Sequence, residues 1–298
     1  MKALMFGWEF PPHILGGLGT ASYGLTKGMY DCGDMDITFV IPKPWGDEEK
    51  GFARIIGANT TPIAWRDVSS EYVQSRIGNV MDPQTYFDLR NHIYSDFNYM
   101  NTNDLGCIEF SGRYPDNLVE EINNYSIVAG VIARTIPCDI IHSHDWLTYP
   151  AGIHAKQVTG KPLVIHVHAT DFDRSRGNVN PTVFNIEKDG MNNADHIITV
   201  SNLTRRTVIE KYGISPDKVT TVHNAVEPLS EELLNVTVPP KHDKVVTFLG
   251  RITMQKGPEY FVEAAAQVLS KVRGVQFAMA GGGDMMEKMI RLAARRGI

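Results

Sequence analysis

The feature that most constrains the fold is a repeated unit: a short apolar run, a glycine-rich turn, then a helical pattern. Near the start, the apolar run 3–6 leads through a loop to Gly16-Gly17-Leu18-Gly19, and 20–30 reads as a helix. Near the end, Val245-Val246-Thr247-Phe248-Leu249 runs into Gly250-Arg251-Ile252-Thr253-Met254-Gln255-Lys256-Gly257-Pro258. Apolar residues at Phe261, Val262, Ala265, Val268, Leu269 and Val272 then recur at helical spacing. Pro258 stands near the first helical position, where a missing amide costs little. Strands that feed helices through short turns build a parallel sheet covered by helices on both faces.

The stretch between these units follows the same alternation in most places. Strands are expected at 37–41, 139–142, 162–167, 195–200 and 219–222. Helices are expected at 118–134, from about 147 to 159, and at 203–212, the last with Ser201 as its N-cap. Pro11-Pro12 demands an extended loop. Residues 43–116 break the rhythm. They are rich in Asn, Asp and aromatics such as Trp45, Trp65, Tyr86 and Tyr94, with 86–99 a candidate helix. They read either as an insertion on the rim of the first domain or as a wall of an acceptor site. The polar stretch 229–243, with Pro239-Pro240, reads as a linker. The expected domains are therefore 1–240 and 241–298. In the second, a strand at 276–280 meets Gly281-Gly282-Gly283, and Asp284 is a candidate cap for the last helix. Two strands cannot bury both faces of a parallel sheet, so the second domain is expected to be only partly present.

Bulk properties exclude some functions. The 298 residues are 43% apolar and 21% charged, a globular composition. A formal charge of −5 argues against nucleic acid as a main partner. No run approaches the length of a membrane span, and the first apolar run is too short for a signal peptide. Cys32, Cys107 and Cys138 are few, odd in number and far apart, which favours free thiols in a reducing compartment. The expectation is a cytoplasmic protein.

The residues that carry chemistry cluster after expected strands. Arg251 offers a bidentate fork to phosphate oxygens and Lys256 a point charge. With a helix N-terminus behind them they suit a pyrophosphate; otherwise they are solvated surface cations. Gly16, Gly17, Leu18 and Gly19 let backbone amides approach an anion, or simply make a tight turn; the loop is too long for the dinucleotide fingerprint. His142-x-His144 and His166-x-His168 each place two imidazoles on one face of a strand. A metal site, a core histidine beside one at a strand end, and a polar-ligand cleft are the three readings. The favoured one is a cleft, with Asp145 and His168 hydrogen-bonding the ligand and no metal. Asp171-x-Asp173 resembles a cation-binding pair, but Arg174 and Arg176 stand ready as ion-pair partners. Ser143 and Ser201 lack the glycine-flanked elbow of a serine hydrolase.

In combination these segments resemble the retaining glycosyltransferases of the GT-B type, in the broad glycogen/starch synthase and sucrose synthase-like group. Glu9-Phe10-Pro11-Pro12 with Gly16-Gly17-Leu18-Gly19 is similar to the family's N-terminal glycine loop, and His144-Asp145-Trp146 to its His-Asp-Trp segment. Thr199-Val200-Ser201, His223-Asn224-Ala225-Val226-Glu227, Gly250-Arg251 with Lys256-Gly257, and Gly281-Gly282-Gly283 also fall in the family's order, with Ala225 in place of the usual Gly. The resemblance implies an α/β fold of two doubly wound, Rossmann-like domains. It implies transfer of a hexosyl unit, glucosyl in the first reading, from a nucleotide-diphosphate sugar such as ADP-glucose or UDP-glucose to a glycosyl acceptor such as an α-glucan. It further implies no cofactor and no metal. On this reading Arg251, Lys256 and the loop Gly16 to Gly19 contact the donor phosphates, while His168, Asp145 and Asn224 line the sugar cleft. The family's Glu-x7-Glu segment has no counterpart before Ile298, so the full donor site is expected to need further residues. The competing readings are a nucleotide-sugar epimerase on the same scaffold, a non-catalytic sugar-binding chain and, remotely, a metal-dependent hydrolase.

Overall fold

The computed structural model describes residues 1–14, 16–33, 35–49, 51–63, 106–226 and 244–298. The candidate helix at 86–99 and the linker at 229–243 lie outside them. The chain divides into two units, Met1–Thr170 with Asn180–Val226, and Asp171–Val179 with Glu227–Ile298.

The first unit is built on a seven-stranded, wholly parallel sheet. Its strands are β1 (Lys2–Phe6), β2 (Asp36–Ile41), β3 (Arg54–Gly57), β4 (Ile140–His144), β5 (Leu163–Val167), β6 (His196–Thr199) and β7 (Val219–Thr221). They lie in the order β3-β2-β1-β4-β5-β6-β7. The chain winds outward from β1 to β3, then returns to the other side of β1 and winds outward again. That reversal, between β1 and β4, is the topological switch point where open α/β sheets hold ligands at their carboxyl edge. β1 and β2 are mostly apolar runs because both faces are covered, whereas β4 and β5 carry histidines toward their carboxyl ends. All of β1 after Lys2 is buried, and Leu4, Met5 and Phe6 are fully so.

On one face, Ala3, Met5, Ile37, Phe39 and Ile41 pack with Phe10 and Phe52 and with Tyr23 and Met29 of helix α1 (Gly17–Asp31). The other face is covered by α2 (Leu118–Thr135) and α3 (Tyr149–Thr159). Gly152 of α3 lies so close to Ser143 and Leu163 that no Cβ fits there. Tyr125 of α2 donates to the carbonyls of both Gly7 and Val40, at 3.1 and 2.8 Å, tying the helix to the ends of β1 and β2. Beyond α4 (Asp171–Ser175) of the second unit, α5 (Pro181–Asn193) and α6 (Asn202–Tyr212) complete the crossovers of the first. Ser201 caps α6 as expected, its Oγ accepting from the Thr204 amide at 3.0 Å.

The second unit holds the parallel pair β8 (Lys244–Leu249) and β9 (Val275–Ala280), with α7 (Pro258–Leu269) and α8 (Met286–Arg296). Its core is Ile252, Val262, Met285 and Met289, flanked by Phe248 and Met279. Val245, Val246 and Leu249 remain exposed on β8. No described helix is long and apolar enough to cross a membrane.

Four details differ from the sequence expectation. The glycine turn is itself the first turn of α1, which starts at Gly17 rather than Thr20. β4 runs on to His144, because parallel pairing of Ser143 with Ile165 and of His144 with His166 continues past the last aliphatic side chain. β3 and α5 were not foreseen; β3 is short and only half-buried, and α5 opens on Pro181 directly after a polar, asparagine-rich loop. Asp284 does not cap α8, whose N-cap is Met285.

Candidate functional site

The loops after β1, β4 and β5 meet at the carboxyl edge of adjacent strands. The loop after β1 carries Gly16, Gly17, Leu18 and Gly19. Gly16 is the extended N-cap of α1, and no side chain caps the helix there. Gly17 is exposed and a Cβ on it would meet nothing within 4 Å. The helix therefore presents free amide donors at an open N-terminus, the arrangement that attracts anions. Gly19 is different. Its amide donates to Glu9 Oε1 at 3.1 Å, and a Cβ on it would overlap Ile14 Cγ2. Glu9, itself buried, also accepts from the Tyr114 hydroxyl at 3.4 Å. Glu9 thus occupies one of the helix-terminal amides from within the protein. Sequence reasoning assigned it no role, although its place ten residues before Gly19 fits a side chain that reaches back to the turn.

At the ends of β4 and β5 stand four histidines. The register sets Met5 beside both Phe39 and His142, and His144 beside His166, so all these side chains share the face that α1 covers. The imidazoles stack. His142 and His166 rings lie 5.6 Å apart and His144 and His166 rings 5.5 Å apart, each nearly parallel. His142, His144 and His166 are buried to 4%, 0% and 3% exposure. Burial, and then the neighbouring His166, push His142 down to about 3. Burial and then His168 bring His166 to about 3. Burial first, and then the other three rings, hold His144 well below the usual histidine range. All three are therefore neutral imidazoles at neutral pH. His168, just past β5, is only half-buried, and its Nε2 lies 3.2 Å from His144 Nδ1.

Asp145 ties these loops together. Its Oδ1 accepts from the backbone amides of His168 and Ala169 at 3.1 and 3.4 Å, and its own amide donates to the His166 carbonyl at 2.9 Å. Its φ of 63° with ψ of 168° lies in a region that costs a non-glycine residue about 1–3 kcal/mol. Strain of that size persists where surrounding contacts over-determine the conformation, and such residues concentrate at ligand sites. The structure brings His168 and Asp145 together, and places Asp145 as the brace of the loop that carries His168. Asn224 is exposed beyond the end of β7, which β4, β5 and β6 separate from β1.

In the second unit, Arg251 and Lys256 are both exposed on the connection from β8 to α7. Neither side chain has a hydrogen-bond or ion-pair partner among the described residues. Gly257, in the left-handed region at φ 62°, is the N-cap of α7 and makes no side-chain cap. Two cations thus flank the start of α7 at a strand's carboxyl end, where Pro258 brings no amide, the Glu259 amide bonds its own carboxylate and the Tyr260 amide donates to the Gly257 carbonyl at 3.1 Å. The turn is shaped by close backbone contact: the Gly250 amide donates to the Ala280 carbonyl at 3.0 Å and the Ile252 amide to the Gly282 carbonyl at 2.8 Å. A Cβ on Gly281 would overlap the Gly250 carbonyl, so the two glycine turns require one another. Arg176 adds a brace. It pairs with Glu259 at 2.6 Å and donates to the Met254 carbonyl at 2.8 Å, so it is Glu259, rather than Asp171 or Asp173, that it is shown to pair with.

Residues 116–228 match the model of Glycosyltransferase Family 4, and residues 230–298 that of Glycosyl transferases group 1. An uncharacterized glycosyltransferase of Methanocaldococcus jannaschii is 25% identical over 100% of this chain and 67% of its own length. A glycogen synthase of Mycobacterium tuberculosis is 22% identical over 99% of this chain and 65% of its own. The chain thus spans about two thirds of the length of these relatives. Among solved structures, a sucrose-phosphate synthase from Thermosynechococcus elongatus superposes with a TM-score of 0.64 at 15% identity, covering 99% of this chain and 66% of that one. Staphylococcus aureus TarM does so with a TM-score of 0.60 at 13% identity, covering 99% of this chain and 75% of that one. At such identities the likeness speaks to fold. The two family segments, the relatives and the shared architecture together place the chain: it belongs to the group 1 glycosyltransferases of the GT-B type.

Proposed function

We propose that this protein transfers a hexosyl unit, glucosyl in the first instance, from a nucleotide-diphosphate sugar to a glycosyl acceptor, with retention at the anomeric carbon. The observation that carries the reading is the pair Arg251 and Lys256, whose exposed side chains have no partner among the described residues and stand at the start of α7. A departing nucleoside diphosphate gains negative charge as the glycosidic bond breaks. Fixed cations and helix-terminal amides aimed at that charge lower the barrier without reorganising. In this reading the transfer needs no metal, since the cations neutralise the leaving group, and no cofactor. In the first unit the amides at Gly16, Gly17 and Leu18 offer further anion contacts, while Glu9 already holds that of Gly19. His168 orients hexose hydroxyls, and Asp145 holds His168 in place through the loop amides. The glycogen synthase relative makes an α-glucan the first acceptor to try. A HepE structure from Anabaena, with UDP and glucose bound, shares the fold at a TM-score of 0.57 and makes UDP-glucose a suitable first donor beside ADP-glucose.

Arg251→Ala tests the reading. Loss of one such donor to a developing charge costs about 10²–10³ in turnover, so kcat is expected to fall by that factor while circular dichroism is unchanged. Unchanged turnover with a well-folded variant removes Arg251 from the mechanism. Product analysis by anomeric NMR supplies the rest. A sugar altered without any acceptor indicates an epimerase, and saturable sugar binding with no donor consumed indicates a binding protein.

A further inference from the structure

The first unit contains a second constellation that the transfer reaction does not use. His142, His144 and His166 lie too deep, at 4%, 0% and 3% exposure, to touch a donor or an acceptor. Yet one ring nitrogen from each lies within 4.8 Å of the other two. His142 Nε2, His144 Nε2 and both ring nitrogens of His166 are buried with no hydrogen-bond partner. A buried polar atom left unsatisfied costs about 1–3 kcal/mol, and this cluster holds four. Aliphatic side chains of similar volume would fill this face of the sheet, beside Met5 and Phe39, without that cost. Something that accepts several nitrogen lone pairs at once accounts for the arrangement.

We propose that His142, His144 and His166 form a buried site for one transition-metal cation of the zinc class, which anchors the ends of β4 and β5 beneath His168. Imidazole is a preferred ligand for zinc, copper and nickel, and three histidines leave a tetrahedral ion one open position. Zinc–nitrogen bonds of about 2.0–2.1 Å set ligand nitrogens about 3.4 Å apart, so binding moves the rings inward from the spacing seen here and turns them out of their stacked arrangement to aim their lone pairs at one ion. His144 already has the environment of a metal-bound histidine. Its Nε2 is the unpartnered atom, and its Nδ1 hydrogen-bonds His168 Nε2 at 3.2 Å. Ligating histidines commonly direct their second ring nitrogen to such a partner, which holds the tautomer. Neutral rings keep the lone pairs that a metal needs, and burial holds all three neutral.

Because the site is enclosed, the ion is best offered while the chain folds. The protein is expressed in zinc-supplemented medium, washed with EDTA, desalted and assayed for zinc by mass spectrometry. The expected result is about one zinc per chain, with imidazole nitrogens at about 2.0 Å in the zinc-edge X-ray absorption spectrum. The double variant His142→Leu/His166→Leu, folded by circular dichroism, is expected to lose the ion. Zinc below about a tenth per chain in folded wild-type protein overturns the proposal and leaves a buried water as the occupant. So does equal zinc in the folded double variant, which places the ion elsewhere. If the double variant does not fold, the absorption spectrum of the wild-type protein decides, and a coordination shell without imidazole overturns the site. None of these readouts depends on sugar transfer, so the failure of one reading leaves the other standing.

Discussion

At the scale of single residues, one glycine loop contains positions with different physical demands. Gly17 faces open space, whereas Gly19 is pressed against Ile14 and Glu9. Gly19→Ala is expected to destabilise by about 1–3 kcal/mol through overpacking, read as a lower urea midpoint. Gly17→Ala adds a better helix former to the first turn and is expected to keep or raise stability, by up to about 1 kcal/mol. Its effect belongs to the ligand instead: an added methyl beside the exposed amides should raise the donor KM. Equal losses of stability in both variants would contradict the division. The motif Gly16-Gly17-Leu18-Gly19 was legible in sequence, but its internal division was not. It depends on Glu9, which reaches Gly19 only because the loop after β1 folds back on the helix.

At the scale of elements, the Ser201 cap was legible in the sequence, whereas the Asp284 cap and the end of β4 were not. Ser201 announced α6, because a hydroxyl before a helical pattern satisfies a terminal amide wherever the helix packs. The end of β4 was misplaced, because a polar Ser143-His144 pair looks like loop until its neighbour β5 is known. The start of β5 shows the same dependence on partners. Asp195 accepts from the Leu163 amide at 2.7 Å and pairs with Lys156 at 2.7 Å. Partial burial acts to raise its carboxyl pKa, but the bonds from Lys156 and the Leu163 amide and the charges of Lys156 and Lys218 bring it below the usual value. A depressed folded pKa contributes stability above the unfolded value near about 4, lost as pH falls through the folded one. Because the pair is about half exposed, the contribution is well under about 1 kcal/mol. Asp195→Asn should therefore lower the melting temperature slightly at pH 7 and not at all near pH 2. A difference that persists undiminished at pH 2 assigns the effect to packing instead.

At the scale of the whole molecule, the two units differ in how much surface they bury. The first covers both faces of its central strands β1, β2, β4 and β5. The second has two strands, and β8 keeps Val245, Val246 and Leu249 exposed at 47%, 42% and 84%. A two-stranded sheet is at the margin of independent stability. Calorimetry of the chain as given is expected to show two transitions, the second unit melting first. Hydrogen exchange should then find the amides of β8 and β9 less protected than those of β1, β4 and β5. A single cooperative transition with uniform protection would refute that order.

The sequence by itself determined the class of architecture, the positions of the glycine turns, and the two cations Arg251 and Lys256 after a strand. These are local properties: period, turn chemistry and charge are written in neighbouring residues. Tertiary structure alone decided that Glu9 takes the Gly19 amide, that Gly281 closes on Gly250, and that Asp145 braces the loop of His168. It also decided that two separate His-x-His pairs become one buried cluster. The physical reason is register. A strand's period of two tells which side chains share a face, but only the pairing of β4 with β5 sets His144 against His166 and brings three imidazoles to one point.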